Sequence, residues 1–425
     1  MRSWPSLTLP PVDRSIRFPQ LSLFNSYRQS IEPVSDQNPF AMYVCGITPY
    51  DATHLGHAAT YLSFDLVHRF LSLSGRSVRF IENVTDIDDP LFERANRDGV
   101  EWSQLGEEQV DLFRSDMSAL RVLPPNSFKS VSEAMPQIIS LVQRLIESGM
   151  TYPLGSDIYL DGSKMDGYRD LPMSMDEAIE LFANRGGDPS RVGKRHPLDP
   201  LLWRESSAGE PSLQASFGSG RPGWHIECNA IAMGLIDEKD LDDGEVSGGS
   251  RKWVIDLQGG GSDLFFPHHF MTALQARAIL NREFAQHFVH AGMIGYQGAK
   301  MSKSLGNLVF VSRLTASGVD PMAIRIALML GHYRSDREWS DQLLAQGEEL
   351  LNRLRRVLGR QAVPDYQDLI NEIIADIAND LDTPSALSKL DSYLEKALDG
   401  DESFNPGSLS RFLDALLGLA VLVSS

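Results

Sequence analysis

Cysteine is scarce in this chain: 425 residues contain two, Cys45 and Cys228. So few exclude a disulfide scaffold, the device of small secreted domains, and fit thiols kept reduced in a cytoplasm. Long apolar runs are missing as well. Ala415 to Val423 is interrupted by Gly418 and is far shorter than the ~20 residues a membrane-spanning helix needs. The opening Met1-Arg2-Ser3-Trp4-Pro5 lacks the apolar core of a secretory signal. A cytoplasmic protein with no membrane partner is the expectation. Positive charge is the third deficit, with 39 Lys+Arg against 57 Asp+Glu and a net charge of −18. Nucleic-acid binding rests mostly on neutralising phosphates, so this balance argues against a nucleic-acid partner. No repeat or low-complexity segment occurs. The 42% hydrophobic and 23% charged content is ordinary for a globular protein, and the length suits two or three domains with ample core.

The most informative stretch runs from Tyr43 to His57. Ala41 to Val44 reads as a short buried strand punctuated by Gly46 and Pro49. From His57, Leu62, Leu66, Val67, Phe70 and Leu71 fall at helical spacing, and Gly75 marks a C-terminal cap. Ser77 to Thr85 follows as a second strand. Strand, turn, helix and strand make a βαβ unit, whose first turn binds nucleotides in doubly wound sheets. His54 and His57 flank Gly56 at the helix entrance, where free N–H groups and the dipole attract phosphate. Beyond a second apolar strand, Phe288 to Ile294, lies Lys300-Met301-Ser302-Lys303-Ser304. Two lysines three apart on a loop can meet two phosphates of a triphosphate.

The remaining pattern divides the α/β chain. Residues 1–37 are a proline-rich arm in which Leu21 to Phe24 reads as an added edge strand. Residues 38–95 form the first Rossmann half, 96–200 a connective insertion, and 201–298 the second half, resuming at Leu201-Leu202-Trp203. Within the insertion, Asn184 to Pro189 is a loop, since Gly-Gly and Pro forbid regular structure. The lysine loop and a stem-like segment occupy 299–340, and 341–425 is a helical bundle, with 316–358 and 365–398 strongly helical.

Cys45 closes the first strand, Cys228 follows Gly223-Trp224-His225-Ile226-Glu227, and His268 follows the Gly259-Gly260-Gly261 strand end. These residues admit two readings. One is a pair of buried thiols with a capping histidine. The other is a metal site, because ends of parallel strands converge on one crevice, and two thiolates with an imidazole suit Zn²⁺ while leaving a position open.

The pairing of HLGH with KMSKS resembles the signature of class I aminoacyl-tRNA synthetases. Y-V-C-G-x-T, N-V-T-D-I-D-D, G-R-P-G-W-H-I-E-C and G-G-G-S-D-L-x-F-P-H-H resemble cysteinyl-tRNA synthetase, in order. Departures exist. The synthetases carry a fourth zinc ligand, a glutamate, where Thr272 stands, and an arginine after HxGH where Ala58-Ala59-Thr60-Tyr61 stands. The chain also stops soon after Asp380-Leu381-Asp382-Thr383-Pro384. In these respects it is similar, over nearly its whole length, to the shortened cysteine ligases of the actinobacterial mycothiol pathway. Asn184, where glutamate is usual, and Phe270, where an acidic residue is common, depart from that family.

The resemblance implies a class I synthetase-type Rossmann fold with an insertion and a C-terminal helical bundle. It implies one Zn²⁺ per chain on Cys45, Cys228 and His268, binding the cysteine thiolate and so rejecting serine. It implies ATP with Mg²⁺, L-cysteine and a glucosaminyl-inositol as substrates, a cysteinyl-adenylate intermediate, and amide formation with release of AMP. His54 and His57 would meet the α-phosphate and ring oxygen, and Lys300 and Lys303 the β- and γ-phosphates. Gly46, Ile47, Thr48, Thr60, Asn83, Val84 and Thr85 would line the adenylate. Trp224 would wall the cysteine side chain, a position that the residues alone equally assign to core. Gly261, Ser262 and Asp263 would meet the ribose and the ammonium, and Ile294 the adenine. Thr85 to Asp89 reads as a helix cap, and His68, His290 and His332 as structural. His269 is left open between a supporting role and a base, and no base for the incoming amine is identifiable. A monomer is expected. The alternatives are a cysteinyl-tRNA synthetase and a non-catalytic synthetase-like regulator.

Overall fold

The computed structural model describes residues 1–50, 53–207, 209–235, 253–301, 306–399 and 403–421. Five parallel strands form its central sheet: β1 (Phe40–Ile47), β2 (Val78–Val84), β3 (Ser127–Ser130), β4 (Trp253–Gly261) and β5 (Glu283–Ala291). Their order is β5-β4-β1-β2-β3, which read from the other edge is the 3-2-1-4-5 arrangement of a Rossmann sheet. β1 and β4 are buried almost without interruption, as strands covered on both faces must be. The first crossover is helix α1 (Leu55–Leu73), entered at His54 and followed by Gly75 at φ 84°. Left-handed backbone at Gly75 costs no Cβ clash, so the chain turns there into β2.

The sheet draws the domain bounds differently from the sequence pattern. Ser127–Ser130, inside the 96–200 stretch read as an insertion, is a strand of the parallel sheet. Leu201–Arg204, read as the return to it, belongs instead to a separate antiparallel sheet. That sheet collects Thr151–Leu154, Asp157–Leu160, Leu201–Arg204, Leu213–Ala215 and Gly218–Pro222. A four-residue strand carries little periodic signal, so only pairing assigns it. The expected edge strand Leu21 to Phe24 is likewise revised. Ser22–Asn25 pairs with Ser30–Pro33 in its own hairpin, and the hairpin closes on β5 through Ser26 N to Phe288 O at 2.8 Å and Asn25 Nδ2 to Gln286 O at 2.9 Å.

After β5 the chain turns at Gly292, where a Cβ would lie 2.5 Å from the Ser335 backbone. The expected apolar strand Phe288 to Ile294 is therefore split, and Ile294–Tyr296 starts a small sheet with Ala299–Lys300 and Arg337–Trp339. Lys300 thus lies in a two-residue strand rather than a loop, and Lys303 lies outside the described residues. Arg337–Trp339 also interrupts the 316–358 stretch expected to be helical. Helices Pro321–Met329, Asp341–Leu358, Gln367–Ala378, Thr383–Asp399 and Pro406–Leu417 complete the C-terminal part. No helix among the described residues is long and apolar enough to cross a membrane.

One buried ion cluster joins these parts. Asp65 on α1 accepts from Arg69 Nε at 2.8 Å, from Arg325 Nη2, and from Leu123 N at 2.8 Å. Arg69 also donates to the carbonyls of Asp414 and Ala415, and Arg325 to those of Leu417 and Leu120. The two guanidiniums thereby cap the end of the last helix, where carbonyls lack intrahelical partners. Burial alone would raise the Asp65 carboxyl, but the two guanidiniums overcome it and hold it below the usual range. Removing one partner of such a cluster leaves charge buried without compensation. Arg325→Met should therefore lose about 3 kcal/mol of stability, read as a lowered urea midpoint. A loss under about 1 kcal/mol would show the cluster to be dispensable.

Candidate active site

The sheet opens at the carboxyl ends of β1 and β4, where strand order reverses. Cys45, near the end of β1, sits in a register irregularity between Val44 and Ile47. Gly46 makes that irregularity possible: a Cβ there would lie 1.6 Å from the Asn83 carbonyl oxygen, so no other residue fits. Asn83 locks the turn from its other end. Its Oδ1 accepts from Gly46 N at 2.8 Å and from the Tyr43 hydroxyl at 2.9 Å, and its Nδ2 donates to Thr85 Oγ1 at 3.1 Å.

Helix Trp224–Met233 brings Cys228 beneath this turn, and the segment after β4 brings His268. Ligand atoms of Cys45, Cys228 and His268 lie within 4.8 Å of one another, all three side chains buried. The shared contact with Cys45, together with burial, pushes the Cys228 thiol well above its ordinary pKa. Two thiols this close cannot both ionise without a cation between them, and sulfur with imidazole is the donor chemistry that zinc prefers. His268 Nδ1 lies 3.0 Å from His225 Nδ1, which leaves Nε2 for a metal. Thr272, at the position of the missing glutamate, is buried and donates to the His268 carbonyl at 2.8 Å, so it supplies no fourth ligand. Behind the site runs a chain of which the sequence reading leaves only His269 open, between a supporting role and a base. Cys45 Sγ is 3.2 Å from His269 Nε2, His269 Nδ1 is 2.8 Å from His290 Nε2, and His290 Nδ1 is 2.8 Å from Ser26 Oγ. His290 thus supports the site rather than remote core. Only the hairpin's docking on β5 reveals this.

Across the crevice, His54 is the N-cap of α1, and its Nδ1 accepts from Gly56 N at 3.1 Å. The neutral ring then carries its proton on Nε2. The His54 and His57 rings stack at 3.9 Å, and a Cβ on Gly56 would press into the His54 ring at 2.8 Å. His57 Nδ1 is buried with no hydrogen-bond partner among the described residues. Burial lowers the His57 pKa to about 4, against a smaller opposing pull from Asp263.

The thiol cluster and the paired histidines open onto one cavity of about 430 Å³, within the range of small-ligand sites. Cys45, Cys228 and His268 share its wall with His54, His57, Gly46, Ile47, Thr48, Thr60, Asn83, Thr85, Trp224, Gly261, Asp263 and Ile294. Trp224 belongs to the wall rather than to core, stacked on His268 at 4.2 Å. Val84 and Ser262 are not brought to the cavity. Val84 points to the opposite face of β2 from Asn83 and is wholly buried in the core beneath α1. The Lys300 backbone pairs with Gly295. The cavity also takes in Tyr50, Tyr61, Leu264, Met293 and Leu308, none anticipated. Tyr61 lies one helical turn beyond His57 and donates to the Cys45 carbonyl at 3.3 Å, a relation that helical spacing offered but apolar periodicity obscured.

A family model describing the class I (C) tRNA synthetase catalytic domain matches residues 31–349. The chain belongs to this family. Within it, the chain is 48% identical, over all of both chains, to the L-cysteine:1D-myo-inositol 2-amino-2-deoxy-α-D-glucopyranoside ligase of Mycobacterium sp. (strain KMS). It is 47% identical to the ligase of the same name from Nocardia farcinica, over 99% of this chain and 100% of that one. Among solved structures, Mycobacterium tuberculosis methionyl-tRNA synthetase with methionyl-adenylate is similar at TM-score 0.63. It is 17% identical and aligns over 90% of this chain and 89% of that one, a likeness of fold.

The lowered His57 pKa has a consequence for stability. Between about 4 and the ordinary 6.5 the unfolded chain holds the extra proton. The ring's contribution is therefore complete above 6.5 and is lost as pH falls toward 4. His57→Asn should reduce the stability lost between about pH 7 and about pH 4.5 by about 1–2 kcal/mol, from urea midpoints at both values. Equal acid losses in variant and parent would show that the ring is not held neutral.

Proposed function

We infer that this protein activates L-cysteine with ATP and joins it to the amine of 1D-myo-inositol 2-amino-2-deoxy-α-D-glucopyranoside. It is an AMP-forming carbon–nitrogen ligase of mycothiol biosynthesis. The observation that carries this reading is the sulfur–sulfur–nitrogen donor set opening into the same cavity as the two histidines at the N-terminus of α1. Similarity to the ligases over the whole chain supports the acceptor.

In the first step a cysteine carboxylate oxygen bonds to the α-phosphorus of ATP, and the bond to the β-phosphate breaks as pyrophosphate leaves. His54 Nε2–H and His57, both neutral, donate to the phosphate oxygens without taking up protons. They stand at the positive end of α1, where charge developing on phosphorus is stabilised. Lys300 and Lys303 neutralise the departing pyrophosphate. Zn²⁺ on Cys45, Cys228 and His268 supplies, when bound, a coordination position that prefers a thiolate to a hydroxyl. Trp224 walls the cysteine side chain, and Asp263 at the end of β4 faces its ammonium. Gly46, Ile47, Thr48, Thr60, Asn83, Thr85 and Gly261 shape the adenylate pocket, with Ile294 beside the adenine. In the second step the neutral amine nitrogen bonds to the acyl carbon, the bond to the phosphate oxygen breaks, AMP leaves, and the nitrogen's surplus proton passes to solvent.

The substrates are small molecules, with Mg²⁺ accompanying ATP, and the protein works as a cytoplasmic monomer without nucleic acid. A tRNA-charging enzyme would need a surface that neutralises phosphates, which a net charge of −18 disfavours. A non-catalytic regulator would have no use for both the donor set and the paired histidines. With cysteine and ATP, the protein should form amide and AMP from the amino-sugar and charge no cysteine tRNA. Charged tRNA would favour the synthetase, and neither product the regulator. About one zinc per chain is expected by elemental analysis, and Cys228→Ser should weaken zinc binding by at least about 100-fold. A variant that keeps full zinc would remove Cys228 from the donor set.

A further inference from the structure

A second cavity, of about 1120 Å³, adjoins the first and shares Thr48, Tyr50, Trp224, Asp263 and Leu264 with it. It lies between the crevice and the antiparallel sheet of the insertion. Eight carboxylates line it against four guanidiniums and no lysine. The guanidiniums are already engaged. Arg221 meets Glu210 and Asp89, Arg204 meets Asp89, Arg191 meets Asp157, and Arg185 donates to the carbonyls of Asp263 and Phe266. Not every carboxylate is so balanced. Asp88 and Glu227 form no ion pair among the described residues, and Glu227, 1% exposed, has an Oε2 with no hydrogen-bond partner there. A buried oxygen left unpartnered costs free energy that a bound donor recovers. Asp88 stands at the junction of the two cavities, 3.4 Å from the Thr48 hydroxyl. Burial and neighbouring Asp89 raise its pKa only to about 6, so it is ionised at neutral pH.

We propose that this second cavity is the acceptor site, taking a protonated amino-polyol whose ammonium docks on Asp88 and one of whose hydroxyls bonds Glu227. The proposal rests on the ligase reading and adds to it the location and charge logic of acceptor binding. A negative pocket with its cations spent attracts an ammonium-bearing sugar and repels the phosphates of an RNA end. Asp88 would set the ammonium beside Thr48 and Trp224, at the mouth of the cavity that holds the acyl group, where it gives up a proton to solvent before its nitrogen attacks.

Asp88→Asn removes the charge while keeping the helix cap, since asparagine caps as well as aspartate. Three readouts on the zinc-loaded full chain decide the matter: cysteine-dependent ATP–pyrophosphate exchange, KM for the amino-sugar, and inhibition by the analogue with hydroxyl in place of the amine. The expected result is an amino-sugar KM raised at least about tenfold with exchange changed less than about threefold, the scale of losing one charged contact. Inhibition by the uncharged analogue should stay the same in Asp88→Asn and weaken in Glu227→Gln. An unchanged KM, or equal losses for amine and analogue in Asp88→Asn, overturns the ammonium site. Exchange falling in step with amide formation places Asp88 in the activation site instead. If the parent protein exchanges pyrophosphate with cysteine but forms no amide with this amine, the ligase reading itself fails and the pocket assignment with it.

Discussion

The site depends on a topological constraint. A parallel sheet ordered β5-β4-β1-β2-β3 must send the connections after β1 and β4 to opposite faces. The backbone therefore parts above those two strands, and a crevice opens that no side chain of the sheet can fill. Cys45, Gly46, Gly261 and Asp263 come to this crevice because they end the two diverging strands. The entrance of α1 comes with them, since the crossover starts where β1 stops. The paired histidines and the paired thiols thus share a wall without any loop being built to unite them.

Around that crevice the packing is arranged to hold polar groups still. Asn83 satisfies the turn after Cys45 from two sides, and Gly46 leaves room for its carbonyl. His225 fixes one nitrogen of His268, and His269 with His290 links Cys45 to the N-terminal hairpin. Burial holds the pKa values of His225, His269 and His290 below the ordinary imidazole value, because protonation would place charge in a desolvated layer. This layer keeps its donors and acceptors in defined tautomers, as a metal site requires.

The C-terminal helices contribute at a distance. Asp65, on the face of α1 away from the crevice, gathers Arg69 and Arg325, whose remaining donors hold the carbonyls at the end of the last helix. The helix that presents His57 is therefore clamped between the sheet and the bundle. Its N-terminal donors keep a fixed aim, and fixed donors stabilise charge without reorganising.

Much of this was legible in the residues. β1, α1 and β2 follow from apolar spacing, and the histidine pair follows from the glycine and proline around it, because local sterics and periodicity act over a few residues. The short strands were not legible. Ser127–Ser130 and Leu201–Arg204 carry too few residues for a period, so hydrogen-bond partners far along the chain decide their sheets. Asn83 and Val84 show the same limit at the site, since neighbours on a strand face opposite ways and only the register says which faces the cavity. The sequence by itself determined the chemistry on offer, two thiols, several histidines and a glycine-bearing turn at a helix entrance, because residue type and local spacing set it. Only the tertiary structure decided that Cys45, Cys228 and His268 meet, that His290 backs them, and that a second, acidic cavity opens beside them. Those relations join residues of separate elements, Cys45 and His269 being 224 positions apart, and packing alone brings them together.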